Sequence, residues 1–396
     1  MLPPAVRPPC EEAVARAAPD TPGCAAHAKP WVLLVSILGS GLAFTQATII
    51  NVALPAIQMQ LHASIAEMQW IASAYTLFIA ALILLGGALG DRYGRRRLFA
   101  IGLTVFSLAT LWCGVAPDAW HLIAGRGLQG VGAALLTPNS LAQLSAAFPR
   151  AERGRAIGLW SAATSLTGGA APLLGGWLVD AASWRAIFLF AVPPALLTLG
   201  LAVARVPESR AVGRPAAVDS RGAATATLAL AALTYGLIAA GSYGWTHPVV
   251  VGTLLGGGLG LVLFVRIETR SAAPMMPLAV FRSRTFCGAN LLTLLLYFAL
   301  AAAFFLLPFV LVQVHGYSAT LTGAAYLPFA LSMGLLSRWS GGLLDRYGAR
   351  LPLIVGPLLV AAGLGLLAWA GAGATYWQTF LLPMVLVGVG MAFTAA

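Results

Sequence analysis

Continuous apolar blocks, each long enough to cross a membrane as a helix, recur from residue 31 to the last residue of this chain. A helix needs about twenty apolar residues to cross the ~30 Å hydrocarbon core of a bilayer. The blocks lack the alternation of apolar and polar residues that a membrane β-barrel requires. Charged residues make up only 9% of the 396, whereas a soluble domain carries about 25%. The twelve predicted spans are 31–54, 69–90, 97–116, 119–144, 155–177, 185–204, 223–242, 248–265, 286–312, 319–340, 350–371 and 376–396.

Basic residues concentrate in every second connection between these spans. The positive-inside rule places such connections in the cytoplasm. We therefore expect a multi-pass protein of the cell membrane whose N-terminus is cytoplasmic. The net charge of +11 then reflects orientation in membrane lipid, and we expect no nucleic-acid partner. The other connections together contain a single basic residue, Arg185. The basic connections are those around Arg95, Arg153, Arg210, Arg270 and Arg346.

Two of the predicted cytoplasmic loops share the pattern G-x-x-x-D-R-Y-G-x-R, over residues 87–96 and 341–350. The first glycine of the pattern is expected to allow close helix approach, and the second to permit a tight turn. An Asp/Arg pair can bridge neighbouring helix ends, and such a charge pair can hold one state of a transporter and open in the other. The candidate gating residues are Asp91, Arg92, Gly94, Arg96, Asp345, Arg346, Gly348 and Arg350.

These loops resemble the signature of the major facilitator superfamily, which follows the second helix of each half of that fold. Parallel six-helix repeats are typical of this superfamily. Here eight spans separate the two copies, and the surplus pair at 223–242 and 248–265 resembles the two helices inserted in the fourteen-helix drug:proton antiporter branch. Further segments that resemble this branch are 48–55, 126–134, 171–177 and 183–188.

The resemblance implies an all-α integral membrane protein, a major-facilitator-type two-bundle transporter with about 12 transmembrane helices in this chain. Only four spans follow residue 286, so compared with that branch we expect two further helices to be missing. The expected parts are a disordered cytoplasmic tail (1–30), an N-terminal six-helix bundle (31–205), a linker with two inserted helices (206–285) and a partial C-terminal bundle (286–396).

Polar residues inside two predicted spans are the candidates for substrate binding or coupling. Arg126 lies within the fourth span, with Gln129 one turn on, and a charge at that depth costs about 2.5–3.5 kcal/mol on insertion scales. Gln46 and Asn51 lie on the first span, which Pro55 is expected to end. Each polar group can instead serve as a structural hydrogen-bond partner between helices.

The fifth span carries small residues and a proline that resemble the antiporter motif of the branch. Proline removes a backbone hydrogen bond and bends a helix, while small residues let helices touch. Gly158, Pro172, Gly175 and Gly176 are therefore expected to form a bend and sliding surface. Ala171 and Thr167 stand where the family has glycine, although both are still small.

Gln46 occupies the position at which the branch has a first-helix aspartate. An amide cannot titrate, so proton coupling through a mid-membrane carboxylate is not supported by this sequence. Any coupling is expected to run through Asp91, through Asp180, or through helices that this chain does not contain.

No catalytic constellation, metal-ligand spacing or phosphate-binding loop occurs in the sequence, so we predict neither an enzyme nor a cofactor. The leading hypothesis is a monomeric secondary transporter that exports amphipathic small molecules, with protons as the candidate coupling ion. The alternatives are an uncoupled facilitator or metabolite exporter of the same fold, and a truncated remnant that does not transport.

Overall fold

The computed structural model describes residues 10–11, 27–210, 219–271, 278–336, 350–369 and 376–395. Its first five helices are α1 (Lys29–Leu61), α2 (Ile65–Tyr93), α3 (Arg95–Gly114), α4 (Ala119–Ala147) and α5 (Arg150–Ala181). They are followed by α6 (Ala186–Leu189), α7 (Val192–Arg205), α8 (Ser220–Tyr243), α9 (Pro248–Arg270) and α10 (Arg284–Phe309). The remaining helices are α11 (Ala319–Ala324), α12 (327–336), α13 (Pro352–Ala368), α14 (Tyr376–Thr379) and α15 (Leu381–Ala395).

Helices dominate the described residues, which confirms the predicted all-α fold. Eight of the described helical segments are long and apolar enough to cross a membrane, counting Ala186–Arg205 and Ala319–Leu336 as one segment each. These eight do not include α4 and α5, although α4 has 29 residues and α5 has 32. Polar side chains explain this for α4, because it buries Arg126, Gln129 and Gln143.

The first helix does not end at Pro55, as the sequence predicted, but continues to Leu61 with the proline inside it. A proline removes only one donor and is tolerated in membrane helices when its surroundings compensate. The chain turns instead at His62, whose φ of +49° is left-handed. Ser64 then caps α2 by accepting a hydrogen bond from the backbone of Glu67.

Two short strands lie outside the helices. Cys10–Glu11 (β1) pairs in parallel with Ser209–Arg210 (β2), so two residues of the predicted tail (1–30) are ordered against the segment after α7. Most of that tail lies outside the described residues, as do Asp345, Arg346 and Gly348 of the second signature loop.

The chain divides into two compact units, and the first contains Met1–Ala43, Ala63–Thr164 and Phe188–Val280. In this unit α2 and α3 both pack along α4, and α7 packs on α3. Helices α8 and α9 form a hairpin that meets α2 through α8, where the rings of Trp70 and Tyr235 are 6.4 Å apart. The inserted pair of helices predicted from the sequence is therefore an antiparallel hairpin.

The second unit contains Phe44–His62, Ser165–Ile187 and Phe281–Ala396. Its core joins Val52 of α1 to Leu307 of α10 and Met384 of α15. Helix α10 continues into a π-helical turn, Val310–Val314. The four-part domain division of the sequence analysis remains a prediction.

Candidate functional site

The arginine of α4 lies in a fully buried polar cluster between α2, α3 and α4. Arg126 donates from Nε to the carbonyl oxygen of Ile71 (3.2 Å) and from Nη1 to Oε1 of Gln129 (2.7 Å). Its guanidinium also lies 4.5 Å from the ring centroid of Tyr75, within cation–π range. Both Arg126 and Gln129 have no exposed surface. The predicted neighbours therefore form one hydrogen-bonded unit.

The cluster extends onto α3 through a residue that the sequence analysis did not single out. Gln129 Nε2 donates to Oγ1 of Thr110 (2.8 Å), and that hydroxyl donates to the carbonyl oxygen of Phe106 (2.6 Å). The hydroxyl of Tyr75 donates to the carbonyl oxygen of Ala43 (2.8 Å). Each bond satisfies a polar group that would otherwise be costly to bury. The sequence offered little signal, because α3 carries two further hydroxyl residues, Thr104 and Ser107, among its apolar residues.

The candidate polar residues of α1 belong to the second compact unit. Gln46 is fully buried, and its Nε2 donates to the carbonyl oxygen of Ile187 (2.9 Å). Asn51 is half-buried. Two residues after Gln46, the Thr48 hydroxyl donates to the carbonyl oxygen of Gly168 (3.0 Å). Both bonds join α1 to another segment, so the geometry agrees with the structural interpretation at least as well as with substrate binding.

The aspartate of the first signature loop pairs with a different arginine from those the sequence favoured. Asp91 Oδ1 accepts from Nη2 (2.7 Å) and Nε (2.9 Å) of Arg95. Arg95 is buried and also donates to the carbonyl oxygen of Ala142 (3.3 Å) on α4. Arg92 is exposed, with its guanidinium 5.4 Å from the ring of Tyr93. Because Arg95 is the first residue of α3, the ion pair links α2 to α3. Arg92 directly follows Asp91 in the chain, and its guanidinium lies over Tyr93 and not beside Asp91.

The second glycine of the loop, Gly94, has a φ of +115°, as its predicted role in a tight turn requires. A Cβ at this position would lie 2.7 to 2.9 Å from the carboxyl group of Glu208. For the first glycine the prediction was wrong: a Cβ at Gly87 would make only an ordinary 3.6 Å contact with Pro138. The close approach of α2 to α4 occurs at Gly86, where a Cβ would meet the carbonyl oxygen of Ala134.

Glu208, in the segment after α7, caps the first turn of α3. Its carboxylate accepts the backbone N–H of Arg96 (2.9 Å) and of Arg97 (3.2 Å), and both guanidinium Nε atoms lie 3.8 Å from it. Glu208 is not among the residues predicted from the sequence. The available signal was electrostatic: α3 begins with three arginines and has no acidic residue in its first turn, which is unfavourable at the positive end of a helix.

The fifth helix remains one continuous helix through Pro172. A Cβ at Gly158 would meet nothing within 4 Å, so this residue makes no close helix contact. A Cβ at Gly175 would overlap Ile49 of α1, and one at Gly176 would overlap the carbonyl oxygen of Ala319. The two later glycines therefore mark close helix contacts. The sliding function of this surface remains a prediction.

Of the second signature loop only Arg350 is described, and it is exposed just before α13. Among the described residues, no group of three or more His, Cys, Asp or Glu side chains is placed to hold a metal ion.

The chain matches the model of the Major Facilitator Superfamily over residues 36–396. The protein belongs to this superfamily. It is therefore a multi-pass membrane protein of a family that handles small-molecule substrates, and the predicted family and fold class are confirmed.

Curated relatives in this superfamily are named for resistance and export. The chain is 37% identical over 360 residues to the multidrug resistance protein Stp of Mycobacterium tuberculosis (strain CDC 1551 / Oshkosh), covering 91% of this chain and 66% of that protein. It is 34% identical over 377 residues to the tetracenomycin C resistance and export protein of Streptomyces glaucescens, covering 94% and 69%. It is 38% identical over 368 residues to the puromycin resistance protein pur8 of Streptomyces alboniger, covering 91% and 72%.

Solved structures support the fold at lower identity. The peptide transporter POT in complex with sulfate matches with a TM-score of 0.66 and 16% identity, covering 91% of this chain and 80% of that one. The xylose transporter XylE from E. coli, in a partially occluded inward open conformation, matches with a TM-score of 0.59 and 17% identity, covering 93% and 85%. These likenesses show a shared major-facilitator fold and nothing about substrate.

Proposed function

We propose that this superfamily member is a secondary transporter that exports amphipathic small molecules across the cell membrane by alternating access. The observation that carries the proposal is the set of relatives, 34% to 38% identical over more than nine tenths of this chain, whose names record drug resistance or export. The buried cluster around Arg126 supports it, because charged groups inside a membrane domain are costly and usually functional.

The topology, the monomeric state and the domain division of this proposal are those predicted from the sequence, whereas Arg95 and Glu208 join the latch because of their contacts in the structure. In this proposal the N-terminus and the arginine-rich loops are cytoplasmic, the protein acts as a monomer, and the domain boundaries lie near residues 30, 205 and 285. Asp91 with Arg95, and Glu208 with the start of α3, form the cytoplasmic latch in the first half. The Arg126–Gln129 pair is the candidate substrate or coupling site.

Export is tested by expression in a bacterial host that lacks its own drug pumps. Cells that carry the chain should tolerate puromycin and extrude ethidium faster than cells with an empty vector. Arg126→Ala at equal membrane level is the matched variant, because it is expected to insert normally, and it should be sensitive. Equal tolerance in the empty-vector cells and in cells with the chain would contradict the proposal.

Topology is tested by single cysteines and a membrane-impermeant maleimide. Cysteines near Arg95, Arg153 and Arg270 should be protected from outside, and those near Asp118 and His315 should be labelled. The reverse pattern would show that the N-terminus is outside.

A second candidate is an uncoupled facilitator on the same fold. It is favoured by Gln46, a residue that cannot titrate and whose amide is bonded to the carbonyl oxygen of Ile187. The two candidates separate in proteoliposomes. Export driven by a proton gradient accumulates substrate against its own gradient, whereas a facilitator only equalises substrate across the membrane with or without the proton gradient.

A further inference from the structure

Two glycines bring the backbones of α5 and α11 into direct contact. A Cβ at Gly176 would overlap the carbonyl oxygen of Ala319, and a Cβ at Gly323 would overlap the carbonyl oxygen of Pro172. The contact is therefore reciprocal, with each glycine seated on the backbone of the other helix. Both segments lie in the same compact unit. We call the contact between Pro172–Gly176 and Ala319–Gly323 the α5–α11 joint.

One turn beyond Gly176, a carboxylate from α5 completes this joint. Asp180 accepts the backbone N–H of Thr320 at Oδ2 (2.7 Å) and that of Ala319 at Oδ1 (3.1 Å). The hydroxyl of Ser318 accepts the backbone N–H of Leu321 (3.2 Å). The first N–H groups of a helix have no acceptor within the helix, so a side chain that accepts them stabilises its start. Here most of that capping comes from another helix.

We propose that Asp180 is a positioning residue that latches the outer ends of α5 and α11 together, and that this latch is released when the transporter opens to the outside. Two parts of this proposal rest on the proposed function: that the joint lies at the outer side of the membrane, and that it opens during transport. The capping itself rests only on the geometry of the joint. A carboxylate suits the task because an anion is favoured at the positive end of a helix.

The groups that face Asp180 determine whether protons could open the latch. They are the backbone N–H groups of Ala319 and Thr320 with the hydroxyl groups of Ser318 and Thr320, and no ionisable side chain among the described residues contributes. Arg185, the next charged residue along the chain, is directed to Gln60 (3.4 Å) and lies over the ring of Trp184.

Asp180 lies beyond the predicted span 155–177. Burial alone raises the pKa of this carboxyl group, but the hydrogen bonds from Thr320, Ala319 and Ser318 together outweigh it and lower the pKa below the ordinary aspartate value. Such a group is ionised at neutral pH, so the latch holds as an anion throughout the working range. In the closed joint Asp180 is therefore poorly suited to carry protons, and release must come from movement of the helices.

Amide hydrogen exchange of the full chain in proteoliposomes tests the cap directly. The peptide that contains Ala319 and Thr320 should exchange about twofold faster in Asp180→Asn than in the parent, the size expected when an exposed capping carboxylate is lost. Asp118→Asn is the matched control, because Asp118 caps only its own helix, α4, through the N–H of His121. Unchanged exchange in Asp180→Asn, or equal acceleration in the control, would overturn the proposal.

A pH series separates a capping anion from a merely structural side chain. In the parent, protection at Ala319 and Thr320 should be constant from neutral pH down to the ordinary aspartate pKa of about 3.9 and be lost below it. In Asp180→Asn no such step should occur. Unchanged protection of α13 and α15 shows that the variant is folded. A parent without the acid step would contradict the capping role of the anion.

The release half is tested by adding puromycin or ethidium to transporting proteoliposomes. Cycling should lower protection at Ala319 and Thr320 in the parent. Constant protection in a chain that transports would refute the release. If the chain transports neither compound while the exchange results hold, the proposed function fails and the capping by Asp180 stands.

Discussion

Glu208 and Asp180 both cap a helix that belongs to another part of the chain, but their surroundings differ. Glu208 accepts two N–H groups at the start of α3, and its side chain is only 17% exposed beside the guanidinium groups of Arg96 and Arg97. Asp180 accepts two N–H groups at the start of α11, but it is exposed and has no charged partner among the described residues. The first cap is embedded in a charge network, and the second relies on backbone N–H groups and on the hydroxyl groups of Ser318 and Thr320.

Because their surroundings differ, replacing Glu208 and replacing Asp180 should cost the protein different amounts of stability. Loss of a partly buried charge leaves its partners poorly satisfied, whereas an exposed group can be replaced by water. We therefore expect the cap on α3 to contribute more to stability than the cap on α11. An exposed cap that water can replace is also better suited to repeated opening.

The largest effect is expected for Gly94→Val. A φ of +115° is strained for a β-branched residue, and the new side chain would collide with Glu208. The strained backbone alone should lower the free energy of unfolding by about 1–3 kcal/mol, and the collision with Glu208 should add to this loss. Thermal unfolding of the purified protein measures it. Gly158→Val is the control for an added side chain, since a Cβ there meets nothing within 4 Å. Equal melting temperatures for Gly94→Val and Gly158→Val would show that the turn at Gly94 and its contact with Glu208 do not limit stability.

Glu208→Gln should have the next largest effect. The amide keeps one acceptor oxygen but removes the charge that faces Arg96, Arg97 and the start of α3. The expected loss is about 1–2 kcal/mol, as for other capping residues near a helix N-terminus. Chemical denaturation followed by tryptophan fluorescence measures the change. A loss no larger than that in Asp180→Asn would contradict the ranking of the two caps.

Asp180→Asn should cost less, about 0.5 kcal/mol after allowance for solvent screening of an exposed group. Because the pKa of Asp180 is lowered in the folded state, its contribution is complete above the unfolded pKa of about 3.9 and is lost as pH falls through the folded value. The difference in stability between parent and variant should therefore be constant from pH 5 to 8 and shrink only in stronger acid. If the stability difference between parent and variant grew as the pH fell, the pKa of Asp180 would be raised in the folded state and not lowered.

The smallest effect is expected for Asp118→Asn, which removes a local cap. The N–H of His121 and then its ring lower the pKa of Asp118, so this cap too is present above the ordinary aspartate pKa and is lost in acid. Asp118 is exposed and serves only its own helix. Drug export and α5–α11 protection should match those of the parent. A clear loss of export would show that local caps matter as much as those that join helices.

The sequence predicted the helical fold, the family and the Arg126–Gln129 pair because these depend on local patterns: apolar length, a repeated motif and a spacing of one turn. It could not identify Glu208 or Asp180 as caps. The residues they cap, Arg96 and Thr320, are more than a hundred positions away in the chain, and only the packed helices bring them together. The pairing of Asp91 with Arg95, and not with Arg92, was missed for a different reason: it is a local contact, four residues apart, that the sequence motif alone did not distinguish.

We infer that the buried cluster of α4 serves export, and transport by three forms of the protein tests this role. Puromycin transport is measured in proteoliposomes for the parent, Arg126→Ala and Thr110→Val at matched protein levels. Thr110→Val removes the outer hydrogen bond of the cluster but keeps the charge and the Arg126–Gln129 bond. We expect Arg126→Ala to insert normally and to abolish transport, and Thr110→Val to retain most of the transport. Full transport by Arg126→Ala would show that Arg126 is structural and that the cluster has no role in export.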